Sequence, residues 1–194
     1  MLPTYRVPRG PFGVVLNANA GRFHPKLAEG ARAIAGDDHV FLTESPEHAE
    51  EVLERCLERE YSTIFAGGGD GTVIDAVNVL DRLGGLEQEG RALGVLRLGT
   101  GNALARHVGS TNPLKDLADY ADGVIHRELP LRMVTAENTL FPFGGLGNDA
   151  AVLNDYNTLK QRYAETALAP VFSKLSGYIV AGLTTTLPRY LRRP

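Results

Sequence analysis

Apolar and polar positions along the chain alternate between two patterns. Phe12-Gly13-Val14-Val15-Leu16, Val40-Phe41-Leu42, Thr63-Ile64-Phe65-Ala66 and Leu93-Gly94-Val95-Leu96 are short unbroken apolar runs. Runs of that length read as strands buried on both faces, the habit of parallel sheets. Between them the apolar residues recur at helical spacing: Leu27, Ala31 and Ile34; Ala49, Val52, Leu53, Cys56 and Leu57; Val73, Ala76, Val77, Leu80 and Leu83; Leu114, Leu117, Ala118 and Ala121. Ser45-Pro46 and Asn112-Pro113 each place a capping side chain before a proline suited to the first helical turn, and Gly84-Gly85 closes the third helix. Strands alternating with helices over residues 12–123 predict an α/β domain, a mainly parallel sheet with helices on both faces.

Outside that span the pattern changes. Residues 1–11 hold three prolines and no period, and read as a leader. Residues 124–129 and 131–136 predict strands with more polar alternation, and Leu140-Phe141-Pro142-Phe143 follows. A glycine turn spans 144–151, a helix runs from Ala151 to about residue 168, and a last helix covers 175–187 with Pro188 as its stop. Two or three strands and two helices make a thin β-rich second domain over 124–194. Units that small rarely stand alone, so this one is expected to be the incomplete start of a domain finished elsewhere.

Composition narrows the function classes. A net charge of −3, from 23 acidic and 20 basic residues interleaved along the chain, gives no electrostatic footprint for nucleic acid. Cys56 is the only cysteine, which excludes an internal disulfide and a thiolate metal cluster, and it falls on a helix's apolar stripe. The five histidines show no pair at metal-ligand spacing. No apolar run approaches ~18 residues, and the start lacks a signal-peptide core, so a cytoplasmic protein is expected. Arg189, Arg192 and Arg193 beside Tyr190 and Leu191 leave a transient membrane contact open, although a truncated helix end explains them as well.

The candidate chemistry sits at strand ends. Asn17-Ala18-Asn19-Ala20-Gly21 follows the first run, Gly67-Gly68-Gly69-Asp70-Gly71-Thr72 the third, and Arg97-Leu98-Gly99-Thr100-Gly101-Asn102 the fourth. In a parallel sheet these ends share one edge and can converge on one ligand. A bare backbone entering a helix seats phosphate, because glycines allow close approach and the first helical N–H groups have no internal partner. Asp70 supplies a carboxylate that could face a magnesium ion on that phosphate, and Thr72 could cap the helix and touch phosphate. The loops are neither the dinucleotide fingerprint nor the Walker loop, since Gly-x-Gly-x-x-Gly and a terminal Gly-Lys-Ser/Thr are both absent.

Gly68-Gly69-Asp70-Gly71-Thr72, Leu98-Gly99-Thr100-Gly101-Asn102 and Asn17-Ala18-Asn19-Ala20-Gly21 together resemble the catalytic domain of diacylglycerol kinases, sphingosine kinases and their bacterial lipid-kinase relatives. The match runs from Phe12 to about Gly109, with weaker echoes to Val152. The Gly-Gly-Asp-Gly-Thr element alone also occurs in NAD kinases, and with serine last in phosphofructokinases. The resemblance implies an ATP-dependent kinase acting on a lipid hydroxyl. It places Asn17, Ala18, Asn19, Ala20, Gly21, Thr43, Gly68, Gly69, Asp70, Gly71, Thr72, Asp75, Thr100 and Asn102 around Mg²⁺·ATP. Asp75 stands where relatives often carry Glu, and Ala103 where many carry Asp. Gly147-Asn148-Asp149-Ala150 resembles the family's glycine-aromatic-Asp-Ala turn with Asn148 in the aromatic's place, which makes Asp149 a candidate that an N-cap role would explain equally well. The family's base lies further along the second domain and has no match before Pro194, so weak or absent lipid kinase activity is expected of this chain alone. A NAD kinase-like enzyme and a nucleotide-binding module without catalysis are the alternatives, and a homodimer is left open.

Overall fold

The apolar runs form strands. After a short β1 (Thr4–Arg6) come β2 (Phe12–Asn17), β3 (Val40–Thr43), β4 (Thr63–Gly68) and β5 (Ala92–Arg97). The computed structural model describes residues 4–6, 10–88, 90–124, 126–142, 148–163, 166 and 175–192. Four of its strands pair in parallel in the order β3-β2-β4-β5, with Leu16 opposite both Leu42 and Gly67, and Gly68 opposite Arg97. The helices between them are α1 (Pro25–Ala35), α2 (Pro46–Glu58), α3 (Asp70–Arg82), the short α4 (Ala103–His107) and α5 (Pro113–Ala121).

Side-chain alternation along the strands divides the core in two. Val14, Leu16, Phe65, Leu96 and Leu98 face α1 and α5 through Leu27, Ala28, Ala31, Leu117 and Tyr120. Val15, Ile64 and Ala66 face α2, α3 and α4 through Val52, Leu53, Cys56, Val73, Ala76, Leu80 and Leu104. Both faces of the sheet are therefore covered, and every residue of β4 is buried. β5 departs from the fully buried reading. Only Leu96 of its six residues is buried, because β5 forms one edge of this sheet. Gly94 leaves the space that the Phe65 ring fills, and Phe65 meets Tyr120 edge-on at 5.0 Å. The Tyr120 hydroxyl then donates to Thr63 Oγ1 at 2.6 Å, tying α5 across the sheet.

The capping residues act as read. Ser45 Oγ accepts from the His48 N–H, Asn112 Oδ1 accepts from the Leu114 and Lys115 N–H groups, and Gly84 follows α3 with φ +67°. Cys56 is buried, and burial pushes its thiol up to about 12, which leaves it unreactive.

Past α5 come β6 (His126–Glu128) and an antiparallel hairpin of β7 (Val134–Ala136) and β8 (Thr139–Phe141), shorter strands than the pattern predicts. Residues 4–6, read as part of an aperiodic leader, form a strand, because β1 finds an antiparallel partner in β6. Asn78 of α3 holds the hairpin with its side-chain amide: Nδ2 donates to the Leu140 carbonyl at 3.0 Å and Oδ1 accepts from the Leu140 N–H at 2.7 Å.

The compact units are Met1–Pro142 and Phe143–Pro194. The described part of the second is helical: α6 (Asn148–Arg162), α7 (Leu175–Ala181), a π-helical turn Gly182–Thr186 and α8 (Leu187–Arg192). The expected stop at Pro188 does not occur. Proline falls in the first turn of α8, directly after the wide π turn, where a missing N–H and a bulky ring are tolerated. Most of the expected glycine turn, residues 143–147, lies outside the described residues.

Asp155 of α6 pins this last segment, accepting from Thr186 Oγ1 at 2.7 Å and from Arg189 Nη2 at 2.7 Å. The Thr186 hydroxyl, helped by the Arg189 guanidinium, holds the Asp155 carboxyl below the usual carboxylate range. A depressed folded value means the stabilisation is complete above the unfolded pKa of about 4 and is lost as pH falls through the folded one. Asp155→Ala is expected to loosen residues 186–192 from α6 at pH 7, by roughly 1 kcal/mol. The wild type should show the same loosening only in acid, and helix chemical shifts by NMR across that range check it.

Candidate functional site

β2 lies between β3 and β4 in the sheet, so the connection leaving β2 runs to β3 on one side and the connection leaving β4 runs to β5 on the other, which opens a crevice above the carboxyl ends of β2 and β4. That crevice is where open α/β sheets bind ligands. Asn17 spans it: its Nδ2 donates to Thr72 Oγ1 at 3.0 Å. Asn17 Oδ1 accepts from the Asn19 N–H at 2.8 Å, which folds residues 17–19 into a side-chain-closed turn. The Ala18 N–H donates to the Thr43 carbonyl at 2.9 Å, Asn19 Nδ2 to the Glu44 carbonyl at 2.7 Å and Thr43 Oγ1 to the Leu16 carbonyl at 3.4 Å. The opening turn is thus fastened to the end of β3.

The two glycine loops meet backbone to backbone. A Cβ at Gly99 would lie 2.3 Å from the Gly69 Cα, and one at Gly68 would lie 2.4 Å from both Cβ and Oγ1 of Thr72. The Leu98 N–H donates to the Gly68 carbonyl at 3.0 Å, and the Arg22 N–H to the Leu98 carbonyl at 2.9 Å. A Cβ at Gly21 would stand 4.0 Å from Thr100 Oγ1, so the opening turn closes on the second loop as well. All three predicted loops converge.

Asp70 begins α3, whose N-cap Gly69 contributes no side-chain cap. Its Oδ1 accepts from the Leu104 N–H at 2.9 Å, capping α4, while a Cβ at Gly101 would lie 3.0 Å from Oδ2. Thr72 does not cap the helix; its hydroxyl takes the Asn17 amide. Asn102 has φ +56°, a left-handed conformation that asparagine tolerates better than most residues. Its side chain turns back on Gly99, with Oδ1 accepting from the Gly99 N–H at 2.7 Å and Nδ2 donating to the Gly99 carbonyl. At 1 % exposure it shapes the loop from inside.

Beside these loops, between α2 and α3, lies a cavity of about 410 Å³. Of the predicted residues, Asn17, Asn19, Thr43, Thr72 and Asp75 line it, whereas Gly68, Gly69, Asp70, Gly71, Thr100 and Asn102 stand outside its lining, on the adjoining loops. Sequence reasoning passed over Glu44, Ser45, Glu47, Asn78 and Arg82, which also line it. Ser45 was legible only as a helix cap, and Asn78 and Arg82 carried no sequence signal beyond a polar helix face. Burial raises the Asp75 carboxyl above its ordinary range, and the backbone N–H of Glu47 with the Ser45 hydroxyl lowers that of Glu47. Arg82 is engaged with Glu50 at 2.5 Å in an exposed pair that contributes little stability. At the end of β5, the Arg97 Nε is buried without a hydrogen-bond partner. Asp149 sits in the first turn of α6, and its side chain lies outside the described part of the structure. Among the described residues no group of three or more His, Cys, Asp or Glu could cage a metal ion, and no helix is long and apolar enough to cross a membrane.

A family model described as the diacylglycerol kinase catalytic domain matches residues 11–132, the span that contains all three loops. The chain belongs to the diacylglycerol kinase catalytic domain family. Similar proteins include a "Probable lipid kinase YegS-like" of Klebsiella pneumoniae (strain 342), 29% identical across 62% of this chain and 40% of the relative. "Diacylglycerol kinase 3" of Arabidopsis thaliana is 34% identical across 53% of this chain and 24% of its own length. A "Probable lipid kinase YegS-like" of Pseudomonas aeruginosa is 34% identical across 56% and 34%. The chain therefore spans less than half the length of these relatives. Its parallel sheet, flanked by helices and followed by short antiparallel strands, is the fold expected of a diacylglycerol kinase-like domain.

Two outcomes are expected of this site. Gly99→Ala drives a methyl group into the Gly69 backbone, which has no flexible end to yield, so the two loops separate and any ligand they hold is lost while the helical core persists. Ligand titration alongside far-UV circular dichroism checks this. Asp75→Asn removes a carboxylate that burial disfavours. A raised folded pKa makes stability fall as pH rises through the window from about 4 to the raised value. The variant should accordingly melt higher than the wild type at pH 7 and equal to it below about pH 4, read from melting curves over pH.

Proposed function

We propose that the chain is the nucleotide-holding part of a lipid kinase, which binds Mg²⁺·ATP on the three convergent loops and delivers its γ-phosphate to a lipid hydroxyl. Residues 12–123 serve as the ATP-binding domain, and residues 124–194 belong to the part that presents the acceptor. The observation that carries this reading is the crevice between β2 and β4, bridged by the Asn17–Thr72 hydrogen bond and floored by glycines 68, 69 and 99. A glycine backbone at the start of α3 suits phosphate, and a neighbouring cavity of about 410 Å³ suits a nucleoside.

The donor set fits magnesium carried in by phosphate rather than an ion caged by protein. Asp70 offers Oδ2 while Oδ1 stays with the Leu104 N–H, and magnesium commonly takes one or two carboxylates, with phosphate oxygens and water as the rest. When bound, the ion offsets charge on the transferring phosphoryl group. The chain's own residues position: Asn17, Asn19 and Thr43 shape the crevice, Thr72 and the glycines hold the phosphate end, and Asn102 fixes the second loop. No base is assigned among residues 1–194. The acceptor's location at a lipid surface implies a peripheral, cytoplasm-facing encounter with the membrane.

Calorimetric titration of the 194-residue protein with Mg²⁺·ATP is expected to give saturable one-site binding, with little or no transfer of labelled phosphate to diacylglycerol, sphingosine or phosphatidylglycerol. Asp70→Asn keeps an acceptor for the Leu104 N–H while removing the charge, so it should weaken Mg²⁺·ATP about tenfold, the effect of one lost charge-assisted contact. Brisk turnover of a lipid would overturn the assignment of this chain as a non-catalysing part. Phosphorylation of NAD, or failure to bind ATP at all, would overturn the lipid-kinase reading itself.

A further inference from the structure

Arg97 closes β5 at the sheet edge where the three loops meet, in register with Gly68. Strand alternation fixes its side. Leu96 and Leu98 pack with the α1 and α5 cluster, whereas Leu93 and Val95 pack with Ala66, Val73 and Leu104. Arg97, two residues beyond Val95, is therefore directed to the side of the sheet that carries α3 and α4. Its strand neighbour there is a glycine whose missing side chain leaves room for Thr72, so Arg97 stands about one strand spacing, ~4.8 Å, from the backbone that opens the phosphate loop.

Nothing among the described residues answers its charge. The Arg97 Nε is buried and unbonded, and Arg97 takes part in none of the ion pairs. Asp70, the acid of the neighbouring loop, accepts from the Leu104 N–H through Oδ1 and makes no ion pair with Arg97. A buried guanidinium donor left unmatched is costly, and the cost rises beside the positive end of a helix such as α3. An anion placed over the glycine loops would relieve both. A planar guanidinium matches phosphate oxygens in particular, since it can donate two parallel N–H groups.

We infer that Arg97 is a phosphate-binding residue of this site, donating to a phosphoryl group seated across the Gly68–Gly69 and Gly99 backbones. The inference rests on the nucleotide reading above for the identity of the ligand, though not for the presence of phosphate.

The test titrates the full 194-residue protein with Mg²⁺·ATP, with inorganic tripolyphosphate and with adenosine, for the wild type, Arg97→Met and Arg97→Lys. The methionine keeps the apolar stem and removes the charge. Affinity for ATP and for tripolyphosphate is expected to fall about 10- to 100-fold in Arg97→Met, adenosine affinity to stay unchanged, and Arg97→Lys to recover part of the loss. The melting temperature of the ligand-free Arg97→Met protein should equal or exceed that of the wild type, since an unmatched donor has been removed. Arg97→Met binding all three probes as the wild type does would overturn the inference, and so would parallel loss of adenosine binding with a lowered melting temperature, which marks a structural role. A wild type that binds tripolyphosphate through Arg97 but neither ATP nor adenosine would sink the nucleotide reading and leave the phosphate site standing. A wild type that binds no phosphate probe sinks both.

Discussion

The site depends on one close approach: the Gly69 backbone against the Gly99 backbone, where an added Cβ would come within 2.3 Å of the facing Cα. Real Cβ atoms do not reach such distances, so side chains are excluded at Gly99 by contact rather than by backbone conformation. The other features of the two loops follow from that contact. The Leu98 N–H reaches the Gly68 carbonyl, Asp70 reaches across to cap α4, and Asn102 accepts a left-handed conformation to hold Gly99 from within. Asp70 thereby carries two duties, the start of its own helix and the cap of another, and both loops stand or fall together.

The contact is precise because of what lies beneath it. β4 is buried along its whole length between two apolar clusters, and only Gly69 separates its last residue, Gly68, from the start of α3. Strands and helices position ligand-holding backbone more exactly than free loops do, and here the loop is only the seam between a fully buried strand and a helix packed on the same core. Leu16 and Val15, from the neighbouring strand, belong to opposite clusters, so Asn17 inherits its direction from both faces of the sheet at once.

The alternation of strand and helix, the order of the loops and the caps Ser45 and Asn112 were legible in the sequence because each rests on local chemistry: apolar period, proline at a helix start, glycine at a turn. What was not legible depends on partners distant in the chain. β1 exists only because residues 126–128 lie beside it, and Asn102 gives no sign in sequence that its amide folds inward rather than toward a ligand. Pro188 misled for a related reason. Proline forbids a regular helical interior, but a π turn immediately before it makes its position a new first turn, and that turn is tied to α6 by the hydrogen bond from Thr186 to Asp155, a partner distant in the chain. The cavity lining was half legible: Thr43 and Asp75 came through the family resemblance, while Arg82 came only with the fold.

Charge argues for how a nucleotide would divide itself between cavity and loops. Glu44, Glu47, Glu50 and Asp75 line the cavity, against the single guanidinium of Arg82, which Glu50 already engages. A triphosphate drawn into that space would meet four carboxylates, and like charges at such range repel even under a surface-like dielectric constant. Burial already raises the Asp75 carboxyl, so a further anion nearby would raise it again at the expense of binding. On the proposed reading the uncharged base and sugar occupy the cavity and the phosphates stay over the glycine backbones, where the start of α3, the magnesium ion and Arg97 supply positive charge. The acidic lining then does more than tolerate the nucleotide. By repelling the phosphate end of the nucleotide toward the loops and admitting its uncharged end, it fixes the direction in which the ligand enters, and so points the terminal phosphate away from the cavity and toward an acceptor.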